Sequence, residues 1–192
     1  MTVNEYGHSL KACEASRYDE KKRENFIKRK EMTKFLSDLL VQERLSGTGK
    51  YYAREVTLDY GTKNARRVDY MQFVPEETIS ISQIEKGYFI SYEVKSCKED
   101  FYSGFGKNFE TEKNYLVMPI SVLKEVEKDI PYGIGVICPI PQFRDSDLEL
   151  AHPTPLNTKD IDWNLRVVKP ARMRERTRSM TELLFCMLRS GK

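Results

Sequence analysis

Glu93 and Lys95 stand two residues apart at the end of an apolar run, Tyr88, Phe89, Ile90, Tyr92 and Val94, that begins after Gly87 and stops at Ser96. Aromatic and β-branched residues in such a run predict a strand. Side chains alternate across a strand, so the carboxylate and the ammonium share a face while Val94 points into the opposite layer. In so apolar a strand both charges are expected to be buried. A buried carboxylate requires a cation, a metal or a proton, and a buried lysine requires a partner.

A second carboxylate gives that requirement a chemical answer. The stretch Arg66–Val74, RRVDYMQFV, also reads as a strand, with Val68, Tyr70, Gln72 and Val74 on one face and Arg67, Asp69, Met71 and Phe73 on the other. Asp69 is its only acid. With the two strands as neighbours, joined through a turn-like segment Pro75 to Gly87, Asp69, Glu93 and the Val94 carbonyl can converge on one divalent cation. Oxygen ligands of this kind suit Mg²⁺ or Mn²⁺, which keep several waters, and one such water is a potential nucleophile with Lys95 beside it.

Other chemistries are poorly supplied. The four cysteines, Cys13, Cys97, Cys138 and Cys186, have no C-x-x-C spacing and read as buried free thiols, not zinc or iron–sulfur ligands. His8 and His152 fall in loops or termini, which argues against Ser-His or Cys-His catalysis. Gly133-Ile-Gly135 is no dinucleotide fingerprint, because the third glycine and the strand before it are missing. The chain carries 32 basic against 29 acidic residues, a formal charge of +3, so any nucleic-acid affinity must come from local distribution. No apolar run approaches the ~18 residues of a membrane span, and the expectation is a soluble, cytoplasmic protein.

The elements that must position the acids follow from periodicity. After a charged segment 1–25, a helix is predicted in which Met32, Phe35, Leu36, Leu39, Leu40 and then Glu43 share the inward face, stopped by Ser46-Gly-Thr-Gly49. Glu43 is one candidate for an accessory metal-site acid; the other reading pairs it with Arg44 or water. Tyr51–Leu58 is the first strand, turning through Asp59–Thr62 into the Asp69 strand, and its Glu55 competes with Glu43 for the accessory role. Ser96-Cys-Lys-Glu99 fits a capping box, followed by Phe101, Phe105 and Phe109 at four-residue spacing, a stripe that reads as core more readily than as a base-stacking surface. Lys113–Pro119 and Ile134–Cys138 are further strands, with a helix from Ser121 to Ile130 between them. This order predicts an α/β fold with five strands.

From Pro139 to Pro170 the chain holds five of its eight prolines and little periodicity, so an irregular surface segment is expected, with Trp163 packed down. Arg166, Lys169, Arg172, Arg174, Arg176 and Arg178 then face one acid, Glu175. This stretch is either a phosphate-binding arm or a solvated linker. Ser179-Met-Thr-Glu182 is a second capping box, opening a short amphipathic helix of Met180, Leu183, Leu184, Met187 and Leu188 that can dock on the core or on a protein partner.

Asp69 with Glu93-Val94-Lys95 resembles the PD-(D/E)XK nuclease superfamily, Asp69 as its aspartate and Glu93-Val-Lys95 as its E-x-K. Acid-x-Lys also occurs at Asp19/Lys21 and Glu20/Lys22, but only Glu93/Lys95 lies in a strand. The likeness extends through Asp100-Phe101, Lys113-Asn-Tyr115 and Met118-Pro119 to MmcB-like DNA-repair proteins and their phage-borne relatives, over roughly Glu55 to Pro139, and into the tail at Leu183-Leu184 and Leu188-Arg189-Ser190. It implies a restriction-endonuclease-like core, a central mixed sheet flanked by helices, within residues 26–139, and an irregular extension over 140–192. It further implies a Mg²⁺- or Mn²⁺-dependent nuclease acting on DNA in repair, recombination or phage DNA metabolism, with a phage or prophage origin in a bacterial host. Asp69, Glu93 and Lys95 would be catalytic, and Asp69, Glu93, the Val94 carbonyl and either Glu55 or Glu43 would hold the metal. Lys98, Lys107, Arg172, Arg174, Arg176 and Arg178 would contact DNA. Val68 stands where the superfamily often has proline. Members that keep the fold and lose cleavage define the alternative, a DNA-binding or protein-interaction factor.

Overall fold

The computed structural model describes residues 28–77, 81–104, 109–156 and 161–190. Its frame is one six-stranded mixed sheet with strands in sequence order, β1 (Tyr51–Leu58), β2 (Arg66–Val74), β3 (Tyr88–Val94), β4 (Lys113–Val117), β5 (Gly135–Pro141) and β6 (Trp163–Lys169). β1, β2 and β3 form an antiparallel meander, β4 and β5 run parallel to β3, and β6 returns antiparallel to β5. The parallel steps need crossovers, supplied by α3 (Lys98–Tyr102) and by α4 (Ile120–Val126) with a 3₁₀ turn after it. The expected order of helix, three strands, helix, strand, helix, strand is present with one addition, a short helix α2 (Ile81–Glu85) between β2 and β3, where a turn-like segment was expected.

Helices cover the sheet. The first helix, α1 (28–40), lays Leu36, Leu39 and Leu40 against Tyr70, Tyr92, Val94 and Val117. Phe101 and α4 build a second cluster on Leu116, Met118 and Val136. A third joins Leu183, Cys186 and Met187 of α6 (Met180–Ser190) to Ala53, Val56, Leu58, Val68, Met71, Phe73 and Phe89. The C-terminal helix therefore docks on the core with its apolar face. Its N-terminus is capped as expected, the Glu182 N–H donating to Ser179 Oγ at 3.1 Å.

Several sequence expectations need correction. The region after Pro139 is not irregular: β5 runs through it to Pro141, α5 spans Ser146–Ala151, and β6 adds a sixth strand. β6 escaped detection because it is an edge strand in which only Leu165 is buried, so its alternation is weak. β5 tolerates Pro139 and Pro141 because its ladder with β4 covers only Gly135 to Ile137. Trp163 does pack down, edge-on to Phe35 with ring centroids 6.1 Å apart. Glu43 does not continue the inward stripe. The helix widens into a π turn over Val41–Leu45, which advances the phase by about one residue and buries Leu45 instead. The Glu43 carboxylate accepts the Leu165 N–H at 2.8 Å and Arg44 donates to the Leu165 carbonyl at 3.0 Å, so together they satisfy the backbone of the edge strand. The capping box at Ser96 is also absent: α3 begins after Cys97, and the Ser96 N–H points to Asp100.

Leu183 is completely buried between α6 and the meander. Leu183→Ala should lower unfolding stability by about 2–4 kcal/mol, read as a fall in the urea midpoint at unchanged m-value. An unchanged midpoint would mean that the helix does not belong to the core.

Candidate active site

β2 and β3 are hydrogen-bonded from Val74↔Tyr88 to Tyr70↔Tyr92, and the next rung of that register sets Asp69 opposite Glu93. On the other side of β2, Arg54 pairs with Tyr70 and Val56 with Val68, so the rung between them sets Glu55 opposite Asp69. Three acids therefore share one row across the meander. The sheet is irregular along that row. Glu55 has a left-handed backbone, φ 53°, which a side chain other than glycine adopts only where its surroundings hold it there. The alternation expected for β2 breaks at the same place, because Val68 clusters with Met71 and Phe73 while Tyr70 joins the α1 cluster. Asp69 bridges the opening with its side chain, Oδ2 accepting the Val94 N–H at 2.8 Å.

β3 is held from its other side by β4. Glu93 and Val94 lie opposite Leu116 and Val117, and the Lys95 N–H donates to the Val117 carbonyl at 2.9 Å. Glu93 is 1% exposed and Lys95 3%. Both oxygens of Glu93 are buried and have no hydrogen-bond partner among the described residues. Burial first, and then the charge of Asp69, push its carboxyl up to about 9, with the Lys95 ammonium pulling the other way. Burial also raises Asp69, against the lowering effect of its bond to the Val94 N–H and of the charges on Lys95 and Arg67.

A carboxylate pair of this kind fits a divalent cation. The ion would supply the positive charge that two facing acids lack and occupy the coordination that Glu93 leaves unused. Among the described residues no group of three or more His, Cys, Asp or Glu side chains is arranged to hold a metal ion. Two carboxylates and a carbonyl would leave the remaining positions to water, as Mg²⁺ tolerates.

These residues form one side of a cleft of about 880 Å³ that also takes in Glu55, Arg29, Arg67 and Asp100. Glu43 lies elsewhere, in a second cleft with Arg44, Gln72 and Tyr92, so of the two accessory candidates it is Glu55 that stands with Asp69 and Glu93. Glu55 also holds Arg67, Oε2 to Nε 2.6 Å. Arg29 and Asp100 went unnoticed in the sequence as site residues. The Arg29 guanidinium binds Asp100 Oδ1 at 2.7 Å, while Asp100 Oδ2 accepts the Ser96 N–H at 3.4 Å. Arg29 carried no signal, being one cation in a charged run.

Of the residues expected to contact DNA, Lys98, Arg172, Arg174, Arg176 and Arg178 do not line the cleft. Lys98 is exposed and 3.7 Å from Glu125, and Lys107, like Phe105, lies outside the described residues. The arm is tied to the body at several points, although Arg172, Met173, Arg174, Glu175 and Thr177 are exposed. Arg172 stacks over Tyr132, 4.6 Å from the ring centroid, and donates its N–H to the Gly133 carbonyl. Arg174 donates to the Phe109 carbonyl at 2.7 Å, and Arg176 to Glu112 at 2.7 Å. Arg178 binds Asp59, Glu110 and Glu182, which keep it charged, while its hydrogen bonds hold Asp59 below the usual carboxylate range. Sequence reasoning read Arg176 and Arg178 without the acids that meet them, which come from segments as much as 119 residues away.

Cys138 and Cys186 are buried free thiols, burial pushing Cys138 up to about 12, and Cys97 is free and partly buried. Cys13 lies outside the described residues, and no helix among the described residues is long and apolar enough to cross a membrane. No protein-family model matches the chain, and neither the curated proteins nor the solved structures give a match.

Because the folded state raises the Glu93 carboxyl from 4.5 to about 9, it binds the proton more tightly than the unfolded chain does. Stability from this group is therefore full below about pH 4.5 and is lost as pH rises towards 9. In EDTA near neutral pH, Glu93→Gln should be more stable than the parent, by up to ~3 kcal/mol, with the gain shrinking towards acid. Denaturant melts across that range provide the check, and a variant that is less stable at every pH would show that Glu93 is compensated inside the fold.

Proposed function

We propose that this protein is a metal-dependent nuclease of the PD-(D/E)XK type that hydrolyses phosphodiester bonds in DNA, in repair, recombination or phage DNA metabolism. The observation that carries the reading is the Glu93 carboxylate, buried with no hydrogen-bond donor among the described residues, facing Asp69 and two residues from Lys95 inside an open cleft. The antiparallel meander with a parallel fourth strand supports it by bringing the aspartate of one strand beside the E-x-K of the next.

Asp69, Glu93 and the Val94 carbonyl would hold Mg²⁺ or Mn²⁺, with Glu55 as accessory acid. The bound ion would supply Lewis acidity towards the phosphate and lower the pKa of a coordinated water. The chain's own residues do the rest. Asp69, fixed through Oδ2 to the Val94 N–H, keeps its other oxygen turned to a ligand without rotating. Lys95 is anchored through its backbone to β4, so its ammonium is positioned to orient the attacking water or to offset charge gathering on the phosphate oxygens. The sheet beneath excludes water from Glu93, which strengthens every electrostatic contact in the site.

The expected result is Mg²⁺-dependent cleavage of labelled single- or double-stranded DNA that EDTA abolishes. Lys95→Ala should lower kcat by at least ~100-fold with a much smaller change in KM, because the lysine acts on the reacting phosphate more than on binding. A protein that binds DNA equally well with and without Lys95 and cuts neither form would instead be the inactive, DNA-binding alternative.

A further inference from the structure

A DNA strand drawn over Asp69, Glu93, Glu55 and Asp100 meets four carboxyl groups and is repelled unless cations of the chain hold it there. The arm does not line the cleft, and its arginines are engaged elsewhere. Arg178 is 13% exposed and shared among three carboxylates, Arg176 is paired with Glu112, and Arg174 is spent on the Phe109 carbonyl. Arg66 lines the cleft too, but it is shared between two acids, Glu110 at 2.7 Å and Asp59 at 3.9 Å.

Two other guanidinium groups line the cleft itself, Arg29 from α1 and Arg67 from β2. Arg67 leans towards β1, where it meets Glu55, and Arg29 leans past β3 to Asp100 of α3. The two are thus held by acids of different elements, Arg67 by Glu55 of β1 and Arg29 by Asp100 of α3, in the cleft that Asp69 and Glu93 also line. Both are open to solvent, Arg67 with 65% of its side chain exposed and Arg29 with 41%. Ion pairs as exposed as these contribute little, so each can be exchanged for a phosphate at small cost. A guanidinium matches two oxygens of a phosphate at once.

We propose that Arg29 and Arg67 grip the DNA backbone, each on a phosphate, in the cleft of the Asp69–Glu93 pair. The assignment rests on the nuclease reading for the identity of the ligand. It moves the DNA-contacting surface from the C-terminal arm to the rim of the cleft. On binding, a phosphate takes the place of Glu55 on Arg67 and of Asp100 on Arg29, which leaves Glu55 free to turn towards Asp69.

The test is fluorescence anisotropy of a fluorescein-labelled DNA oligonucleotide, single-stranded and annealed to its complement, over a KCl series with Ca²⁺ in place of Mg²⁺, alongside Mg²⁺ cleavage assays. Arg29→Ala and Arg67→Ala should each weaken binding roughly tenfold. Each should also lower the salt slope of log affinity by about 0.9 on the duplex or about 0.7 on the single strand. Arg29→Lys and Arg67→Lys should recover part of the loss, and Arg172→Ala with Arg174→Ala should leave affinity unchanged. In cleavage, KM should rise with kcat nearly constant. A parent that binds and cuts DNA while both rim variants keep its affinity and salt slope overturns this assignment and leaves the nuclease reading standing. Binding that depends on Arg29 and Arg67 without any cleavage supports the assignment and overturns the nuclease reading. A parent that binds no DNA overturns both.

Discussion

A carboxylate removed from water must find a proton, a cation or hydrogen-bond donors, and among the described residues Glu93 has no donor. Its neighbours make matters worse before they make them better. Asp69 faces it with a second negative charge, and Lys95 offsets only part of the sum. A fold does not retain such a group for stability, since an apolar residue of similar size would fill the place at lower cost. That unmet demand for positive charge is what the proposed divalent cation would supply.

The rest of the structure keeps that demand from being relieved in other ways. β3 lies between β2 and β4, so the backbone around Glu93 is fixed on both sides and cannot rotate its side chain into solvent. Asp69 is held by the Val94 N–H, which sets the two acids against each other instead of letting them separate. Glu55 keeps a left-handed backbone in the same row. Further out, Arg178 joins the β1–β2 turn at Asp59 to Glu110 and to α6 at Glu182, closing the meander from outside, and Leu183 packs beneath it.

Much of this was legible in the residues. Five strands followed from alternation and from apolar runs, and Glu93 and Lys95 stood out because two charges inside such a run are expensive. Pairing Asp69 with Glu93 needed only the guess that consecutive strands are neighbours. What escaped has a physical reason in each case. The π turn at Val41–Leu45 changes the helical phase without changing composition, so Glu43 looked inward when Leu45 is. The strand β6 buries a single leucine and takes its hydrogen bonds from β5 and from the side chains of Glu43 and Arg44, none of which its own pattern reveals. The arginines from 172 to 178 form a basic cluster in one dimension only. In three dimensions Glu112, Glu110 and Asp59 meet two of them, whereas Arg29 and Arg67, unremarkable in the chain, reach the cleft.

The most direct measurement is of Glu93 itself. With the glutamate side chains labelled at the carboxyl carbon and Glu93→Gln used to assign the resonance, an NMR titration follows its ionisation without and then with Mg²⁺. In EDTA the carboxyl should titrate well above the ordinary glutamate range of about 4.3, and saturating Mg²⁺ should bring its ionisation below neutral pH by displacing the proton. A Glu93 that titrates normally in EDTA and does not respond to Mg²⁺ would contradict the account, because the fold would then already satisfy the carboxylate and leave no site for a cation.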